Sequence, residues 1–254
     1  MTRNSVSHDW RSFLFGLPGK LGTVRWLGFP KWLTQVGSGL ISRRRVRGFP
    51  LGVIELLEAR TLLSAVRPGL FNANSLPGND DGSTGTVAIG FSAPINFFGQ
   101  SFNSLYVNNN GNVTFNAPLF TFTPFGLTTN TGIPIIAAFF ADVDTRTGPI
   151  LTYGNGIVNG RQAFGINWPN VGYYRTHLDL LNNFQEILME RFDTGPGNFD
   201  IEFNYDQIQW ETGDASGGSG GFGGTPVHVG YSNGTGNPRN ISGIPRFRCH
   251  SGLR

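Results

Sequence analysis

A run of alternating apolar and polar residues constrains the fold more than any other feature of the chain. Apolar side chains occupy every second position between residues 199 and 206, namely Phe199, Ile201, Phe203 and Tyr205. The intervening positions are polar and are expected to face water: Asp200, Glu202, Asn204 and Asp206. This period of two is typical of a β-strand with one face on a core. Residues 213–224 are rich in glycine and predict a flexible surface loop after the strand.

The rest of the chain predicts more strands and little helix. Its 37 glycines, 15 prolines and only 14% charged residues favour short strands joined by tight turns. Residues 105–107 and 113–115 flank an Asn-Gly turn and predict a hairpin, and the apolar run 133–140 predicts a buried central strand. Further strands are expected at 86–91, 95–98, 150–153, 163–168, 183–192 and 227–231, with turns at 154–156 and 169–174. We therefore expect an all-β antiparallel sandwich of short strands with long glycine-rich loops.

Charge divides the chain into three parts. Residues 1–67 carry a net charge of +8, residues 68–238 carry −9, and residues 239–254 carry +4. Because the body is acidic, it repels phosphate, and we expect no nucleic-acid partner. The sequence contains no run of about 18 apolar residues, so we predict no transmembrane span. The single cysteine, Cys249, excludes an intrachain disulfide and leaves the redox compartment open.

The basic first part reads as an export leader, mostly disordered with one short helix over 51–65. After an arginine cluster at 43–47, the chain resembles the amino-terminal leader of large bacterial surface and secreted proteins. The matching residues are Leu57, Glu58, Arg60, Leu62, Leu63 and Ser64. The resemblance implies that residues 1–67 serve sorting in a bacterial host. The alternative is a disordered tail with one helix.

Five separate blocks of the body occur in the order found in one known domain family. They are FFGQSFNSLYVNNNGNVTF at 97–115, IPIIAAFFADVDTR at 133–146, FGINWPNVGYY at 164–174, NFQEILME at 183–190 and FNYDQIQWETG at 203–213. Together these blocks resemble the nidogen-type extracellular (NIDO) domain. The resemblance spans residues 75–236. It implies a secreted or cell-surface, non-enzymatic module in cell–matrix adhesion, with matrix proteins, surface proteins or glycans as partners. Residues 237–254 form a basic tail that reads as truncated or misread, or as a terminal strand.

Acidic residues after the predicted central strand form a candidate calcium site. Asp142 and Asp144 flank one valine, so their carboxylates are expected to point the same way, and Asp80 and Asp81 can add oxygens. Oxygen clusters suit Ca²⁺, although the full ligand series of an EF-hand is missing. The alternative is turn capping or an ion pair with Arg146.

Four aromatic residues form a candidate ligand platform: Trp168, Tyr173, Tyr174 and Trp210. Such rings combine apolar area with a polar edge and suit sugars or proteins. This reading supports a carbohydrate-binding, lectin-like module as the alternative function. The competing interpretation is packing in the core or at its rim.

Enzymatic motifs are weak. His177 and His228 have no serine or cysteine at a recognisable spacing, and the glycine-rich loop lacks the ending of a phosphate-binding loop. A glycosidase pair would need Glu186 with Glu190, or Asp200 with Glu202, and solvated strand faces explain these acids more simply. We therefore predict a protein that is not an enzyme and needs no cofactor, with calcium as the one candidate.

Overall fold

The computed structural model describes residues 65–236 in full and residues 246–251 as backbone. The predicted leader helix and arginine cluster lie outside the described residues. Fourteen strands, numbered in chain order, are β1 (Asn74–Ser75), β2 (Val87–Ala88), β3 (Ile95–Phe97), β4 (Gln100–Phe102), β5 (Ser104–Asn108), β6 (Asn112–Thr114), β7 (Ile135–Phe140), β8 (Val143–Asp144), β9 (Thr152–Val158), β10 (Arg161–Tyr173), β11 (His177–Glu190), β12 (Phe199–Gln207), β13 (His228–Ser232) and β14 (Arg246–Ser251).

Two sheets form the predicted β-sandwich. The larger sheet has the order β1-β9-β10-β11-β12-β14, with β8 paired to β10, and the smaller has the order β13-β7-β6-β5-β2. A separate hairpin joins β3 and β4. The only helical segments in residues 65–236 are two 3₁₀ turns, Phe192–Thr194 and Asp214–Ser216. That part of the chain contains no helix with the length and apolar character of a membrane span.

The main core lies between the two sheets. Phe139 of the smaller sheet packs against Phe184 of the larger one, with ring centroids 5.1 Å apart, and against Trp210 at 5.2 Å. The hydroxyl of Tyr205 donates to the carbonyl of Ala138 at 2.7 Å and ties the sheets together at the same level. Burial of large aromatic side chains is the main stabilising contribution of this core.

The predicted hairpin at 105–115 is confirmed as β5 and β6. Its turn requires glycine, because Gly111 has φ +72° and a Cβ there would overlap the carbonyl oxygen of Phe139. The amide of Phe139 in turn donates to the carbonyl of Gly111 at 2.9 Å. The hairpin tip is therefore locked against β7, the buried central strand that the sequence predicts from residue 133 and that begins at Ile135.

The turn predicted at residues 154–156 is wrong. Those residues continue β9, and the chain reverses at Asn159 and Gly160, both with positive φ. Glycine in this sheet allows a neighbouring side chain to pack closely on the strand and does not mark a turn. A Cβ on Gly165 would overlap the ring of Phe71. The loop predicted at 169–174 is also wrong, since β10 runs to Tyr173 with register shifts after Trp168.

The solvent face predicted for the alternating run is wrong for three of its four residues, and Asp206 is exposed as predicted. Asp200, Glu202 and Asn204 of β12 are as buried as the apolar residues between them. Arg67 covers this face, with Nε 2.7 Å from an oxygen of Glu202, and Arg191 donates to Asp200 at 2.9 Å. Side chains of β12 alternate between the apolar core on one face and a buried layer of paired polar groups on the other. This arrangement has the same period of two as a strand with one face in water, so the sequence pattern does not distinguish them.

Both ends of the fold extend beyond the predicted boundaries of 75 and 236. Phe71 is buried under the larger sheet, and Arg67, which was assigned to the leader, binds Glu202. At the other end, β14 pairs in parallel with β12, so residues 246–251 of the basic tail form a strand of the larger sheet.

Candidate functional site

Three carboxylates from two separate loops meet at one place on the sandwich. Asp80 and Asp81 lie in the loop between β1 and β2, and Asp142 lies in the short link between β7 and β8. One carboxylate oxygen from each residue lies within 4.8 Å of the other two. This group of Asp80, Asp81 and Asp142 is named the acidic cluster.

The tip of the β5–β6 hairpin holds these loops together. The side-chain amide of Asn109 donates to the backbone carbonyls of Asp80 and Val143. Asn110 donates to Oδ1 of Asp81 at 2.8 Å and accepts from the amide of Val143 at 2.9 Å. Both asparagines are buried, so their amides are constrained to these partners. The Asn-Gly pattern predicts only a turn at Asn109 and Asn110 and does not indicate this second role.

Asp142 is the most buried member of the acidic cluster. It is 1% exposed, and its Oδ2 has no hydrogen-bond donor among the described residues. Burial raises the pKa of Asp142 to about 7, and the charges of Asp80 and Asp81 add to the effect. Gly213 covers the carboxylate closely, because a Cβ there would lie 2.5 Å from Oδ2.

Asp80 is half-buried and lies at the edge of the cluster. Its Oδ1 has no donor in the described part of the chain, while its Oδ2 lies 3.4 Å from a guanidinium nitrogen of Arg146. Burial raises the pKa of Asp80 to about 6, and the charges of Asp144 and Asp81 raise it further, against the opposing effect of Arg146. Asp142 and Asp80 therefore ionise less readily than an ordinary aspartate unless a cation lies nearby.

Asp144, the other aspartate of the predicted pair, is bound elsewhere. Arg146 holds both of its oxygens, and the amide of Thr176 donates to Oδ2 at 2.8 Å. Burial acts to raise the pKa of Asp144, but these hydrogen bonds together lower it below its usual value. The structure thus brings Asp142 together with Asp80 and Asp81, and it places Asp144 in an ion pair beside them.

The aromatic platform is a second correction. Trp168, Tyr173 and Trp210 are buried in the core, where they cannot present a surface to a ligand. Trp168 stacks on Phe184 with centroids 4.9 Å apart, and the indole N–H of Trp210 donates to the carbonyl of Val171 at 3.1 Å. Tyr173 is buried because β10 continues through the predicted loop to this residue, and Trp168 lies earlier on the same strand.

Tyr174 is the member of the predicted platform that reaches the surface. The guanidinium carbons of Arg146 and Arg175 lie 5.7 Å and 5.9 Å from the centre of its ring. Both distances suit cation–π contacts. The ring is therefore engaged by two cations rather than open on both faces.

Among the described residues, the side chains considered for an enzymatic role have other hydrogen-bond partners or are buried in the core. His177 lies 3.2 Å from Asp214, and a ring nitrogen of His228 lies 2.8 Å from the carbonyl of Phe125. Glu190 accepts from the backbone and hydroxyl of Ser92. Glu186 is buried in the core, which is no place to meet a polymeric sugar.

Exposed phenylalanines mark a different surface, which sequence reasoning missed. Phe120 and Phe122 lie in the loop between β6 and β7, with Phe120 59% exposed. Phe222, in the glycine-rich loop, is 46% exposed. A hydrogen bond of 3.0 Å between the hydroxyls of Thr123 and Ser216 joins the two loops. The two loops that carry these three phenylalanines are named the phenylalanine loops.

The glycine-rich loop that carries Phe222 is internally bonded. The amide of Glu211 donates to the carbonyl of Gly221 at 2.8 Å, and the amide of Thr225 donates to the carbonyl of Ser216 at 2.9 Å. Phe222 is thus held at a defined place on the surface.

Comparison with known proteins identifies relatives of this fold. Alpha-tectorin of Mus musculus is 31% identical over 201 residues, which cover 70% of this chain and 9% of its own length. Alpha-tectorin of Gallus gallus is 30% identical over 221 residues, covering 77% of this chain and 10% of its own length. Nidogen of Drosophila melanogaster is 31% identical over 134 residues, covering 42% of this chain and 10% of its own length. The chain spans about a tenth of the length of these curated relatives.

The solved structures contain no significant match to the chain. Alpha-tectorin and nidogen are extracellular matrix proteins, which confirms the prediction of a secreted or cell-surface location. The family model described as NIDO related matches residues 68–244, which include nearly all of the described fold. The chain belongs to the NIDO-related family.

Proposed function

We propose that this protein is a non-catalytic extracellular interaction module, which acts in cell–matrix adhesion by binding matrix or cell-surface proteins. Membership of a family with alpha-tectorin and nidogen relatives supports an extracellular structural role. The observation that carries the proposal is the pair of phenylalanine loops. Exposed aromatic side chains on bonded loops are typical anchors of protein interfaces.

The experiment measures binding of the full chain to immobilised purified matrix proteins. We expect a Phe120→Ala, Phe222→Ala double variant to bind at least tenfold more weakly, because truncating buried interface aromatics commonly costs more than 1 kcal/mol each. The matched control is Ile157→Ala, which removes another exposed apolar side chain, on β9. Equal loss in both variants, or none in either, would contradict the proposed surface.

Carbohydrate binding is the second candidate, and one residue supports it. Tyr174 keeps part of its ring at the surface, flanked by arginines that can donate hydrogen bonds. A glycan array probed with the full chain tests this function. Binding that disappears in Tyr174→Ala and persists in the phenylalanine double variant would replace protein recognition with glycan recognition.

We also propose that the leader, up to about Ala65, directs export of the protein from a bacterial cell. The Leu-Glu-x-Arg-x-Leu-Leu-Ser pattern at 57–64 supports this role. We expect Leu62→Asp with Leu63→Asp to retain the protein inside the cell, since both changes remove apolar residues from the leader. Secretion of the variant at the wild-type level would contradict the proposal.

A further inference from the structure

The acidic cluster concentrates negative charge, and the described residues 65–236 do not bring a matching set of cations to it. Oxygens of Asp80, Asp81 and Asp142 approach within 4.8 Å of one another. Arg146 is the basic side chain that reaches the group, and its closer partner is Asp144. Like charges at such distances repel one another, and the repulsion is stronger where water is excluded.

An unpartnered buried carboxylate provides a second and independent observation. Asp142 is 1% exposed, and its Oδ2 has no donor among the described residues. One oxygen of the same carboxylate is among the three that approach one another in the cluster. Oδ1 of Asp80 is unpartnered in the same way. Buried polar atoms in native proteins almost always have a partner, and a buried carboxylate without one costs several kcal/mol. A bound cation would supply the missing partner to both oxygens.

The surrounding groups build a site rather than an accidental contact. The buried amide of Asn109 binds the backbone carbonyls of Asp80 and Val143. The buried amide of Asn110 binds the carboxylate of Asp81 and the backbone amide of Val143. Gly213, at the start of the glycine-rich loop, packs closely against the side chain of Asp142. Four segments that are distant in sequence therefore converge on the same three carboxylates.

We propose that Asp80, Asp81 and Asp142 bind a Ca²⁺ ion. All three side chains are hard oxygen donors that can bind through one or both oxygens, and Ca²⁺ accepts 6–8 oxygens in flexible geometry at about 2.3–2.6 Å. Ligand atoms up to 4.8 Å apart fit around such an ion, since two opposite ligands lie about 5 Å apart. Mg²⁺ demands near-ideal octahedral geometry and retains its waters, and Zn²⁺ prefers histidine and cysteine, which the cluster lacks. The Arg146–Asp144 pair closes one side of the site.

Calcium titration of the full chain, stripped with chelator and dialysed, tests the proposal. We expect isothermal titration to give one site, and the melting temperature to rise by about 5–10 °C when free Ca²⁺ is about 100 times Kd. Asp142→Asn should abolish both responses. Asp206→Asn, which removes one charge from an exposed position on β12, is the matched control and should keep them.

A stability measurement in chelator separates loss of binding from loss of folding. Asp142→Asn removes an unpaired buried charge, so its melting temperature without calcium should equal or exceed that of the wild type. If this variant does not fold, Asp81→Asn replaces it, because Asp81 is only half-buried. Absence of binding heat in the wild type, or a wild-type calcium response in the variant, would overturn the site. A larger response to Mg²⁺ than to Ca²⁺ would overturn the choice of ion.

Discussion

The indole N–H of Trp168 donates to the backbone carbonyl of Asn109 across the core, at 2.9 Å. Trp168 belongs to β10 of the larger sheet, and Asn109 is at the tip of the hairpin in the smaller sheet. The same asparagine holds the backbone of Asp80 through its side chain. One buried hydrogen bond therefore connects the packing of the two sheets to the loop of the acidic cluster.

The first prediction tests this connection with Trp168→Phe. Loss of the indole donor leaves the carbonyl of Asn109 with the amide of Gly111 as its donor, at 2.8 Å. The lost hydrogen bond costs about 0.5–1.5 kcal/mol of unfolding free energy, in addition to the lost ring volume. We also expect weaker calcium binding, because one of the hydrogen bonds that position Asn109 is removed. Urea unfolding and calcium titration measure the two effects. Tyr106→Phe, which removes a half-exposed hydroxyl, is the control and should change neither.

A second prediction concerns Glu186, which is wholly buried on the core side of β11. Burial raises the pKa of Glu186 well above its usual value, and the backbone amide of Ala138 offsets this only in part. Because the folded-state pKa is above the unfolded one, the folded protein retains a proton that the unfolded chain releases as pH rises. Stability is therefore greatest below about pH 4.5 for this group and declines as the pH rises toward the folded-state pKa.

We expect Glu186→Gln to make the decline of stability with pH shallower and to raise the unfolding free energy at pH 8 by about 1–3 kcal/mol. The remaining slope comes from Asp142 and Asp80, whose pKa values burial also raises. Urea unfolding at pH 5, 6.5 and 8 gives the slope. Asp206→Asn alters an exposed acid and should leave the slope unchanged. A variant that keeps the wild-type slope would show that Glu186 does not govern it.

The third prediction compares two glycines of nearly equal φ. Gly111 has φ +72° and Gly160 has φ +75°, but a Cβ on Gly160 meets nothing within 4 Å, whereas one on Gly111 overlaps the carbonyl of Phe139. Gly160→Ala should cost only the left-handed backbone penalty of about 1–2 kcal/mol. Gly111→Ala should cost more than about 4 kcal/mol or prevent folding. Equal melting temperatures for the two variants would contradict the close approach.

The fourth prediction concerns the Arg67–Glu202 pair. Glu202 is buried at 2% exposure, so Arg67→Ala removes a charged donor from a buried carboxylate and should lower stability by about 1.5–3 kcal/mol. Arg161→Ala breaks a pair with Asp193 in which both side chains are exposed, and should cost less stability than Arg67→Ala. Denaturant midpoints of the two variants make the comparison. A larger effect for Arg161→Ala would contradict the assignment of Arg67 to the fold.

Part of the candidate site was visible in the sequence. Asp142 follows a buried strand, and its position predicted a cation ligand together with Asp80 and Asp81. The role of Asn109 and Asn110 was missed, because an Asn-rich turn before Gly111 is explained equally well by turn chemistry alone. The pairing of Asp144 with Arg146 was the stated alternative, and the structure contains it. Spacing alone does not distinguish these arrangements.

The sequence by itself determined the class of the fold and the clearest hairpin, because alternation and Asn-Gly turns act between residues that are close in the chain. Only the tertiary structure decided which side chains are inside. Trp168 and Trp210 are buried because two sheets close over them, and the polar face of β12 is buried because Arg67 reaches Glu202 from 135 residues away. Likewise, Asp81 and Asp142 meet through loops from different strands. Such contacts depend on sheet packing, which no local pattern encodes.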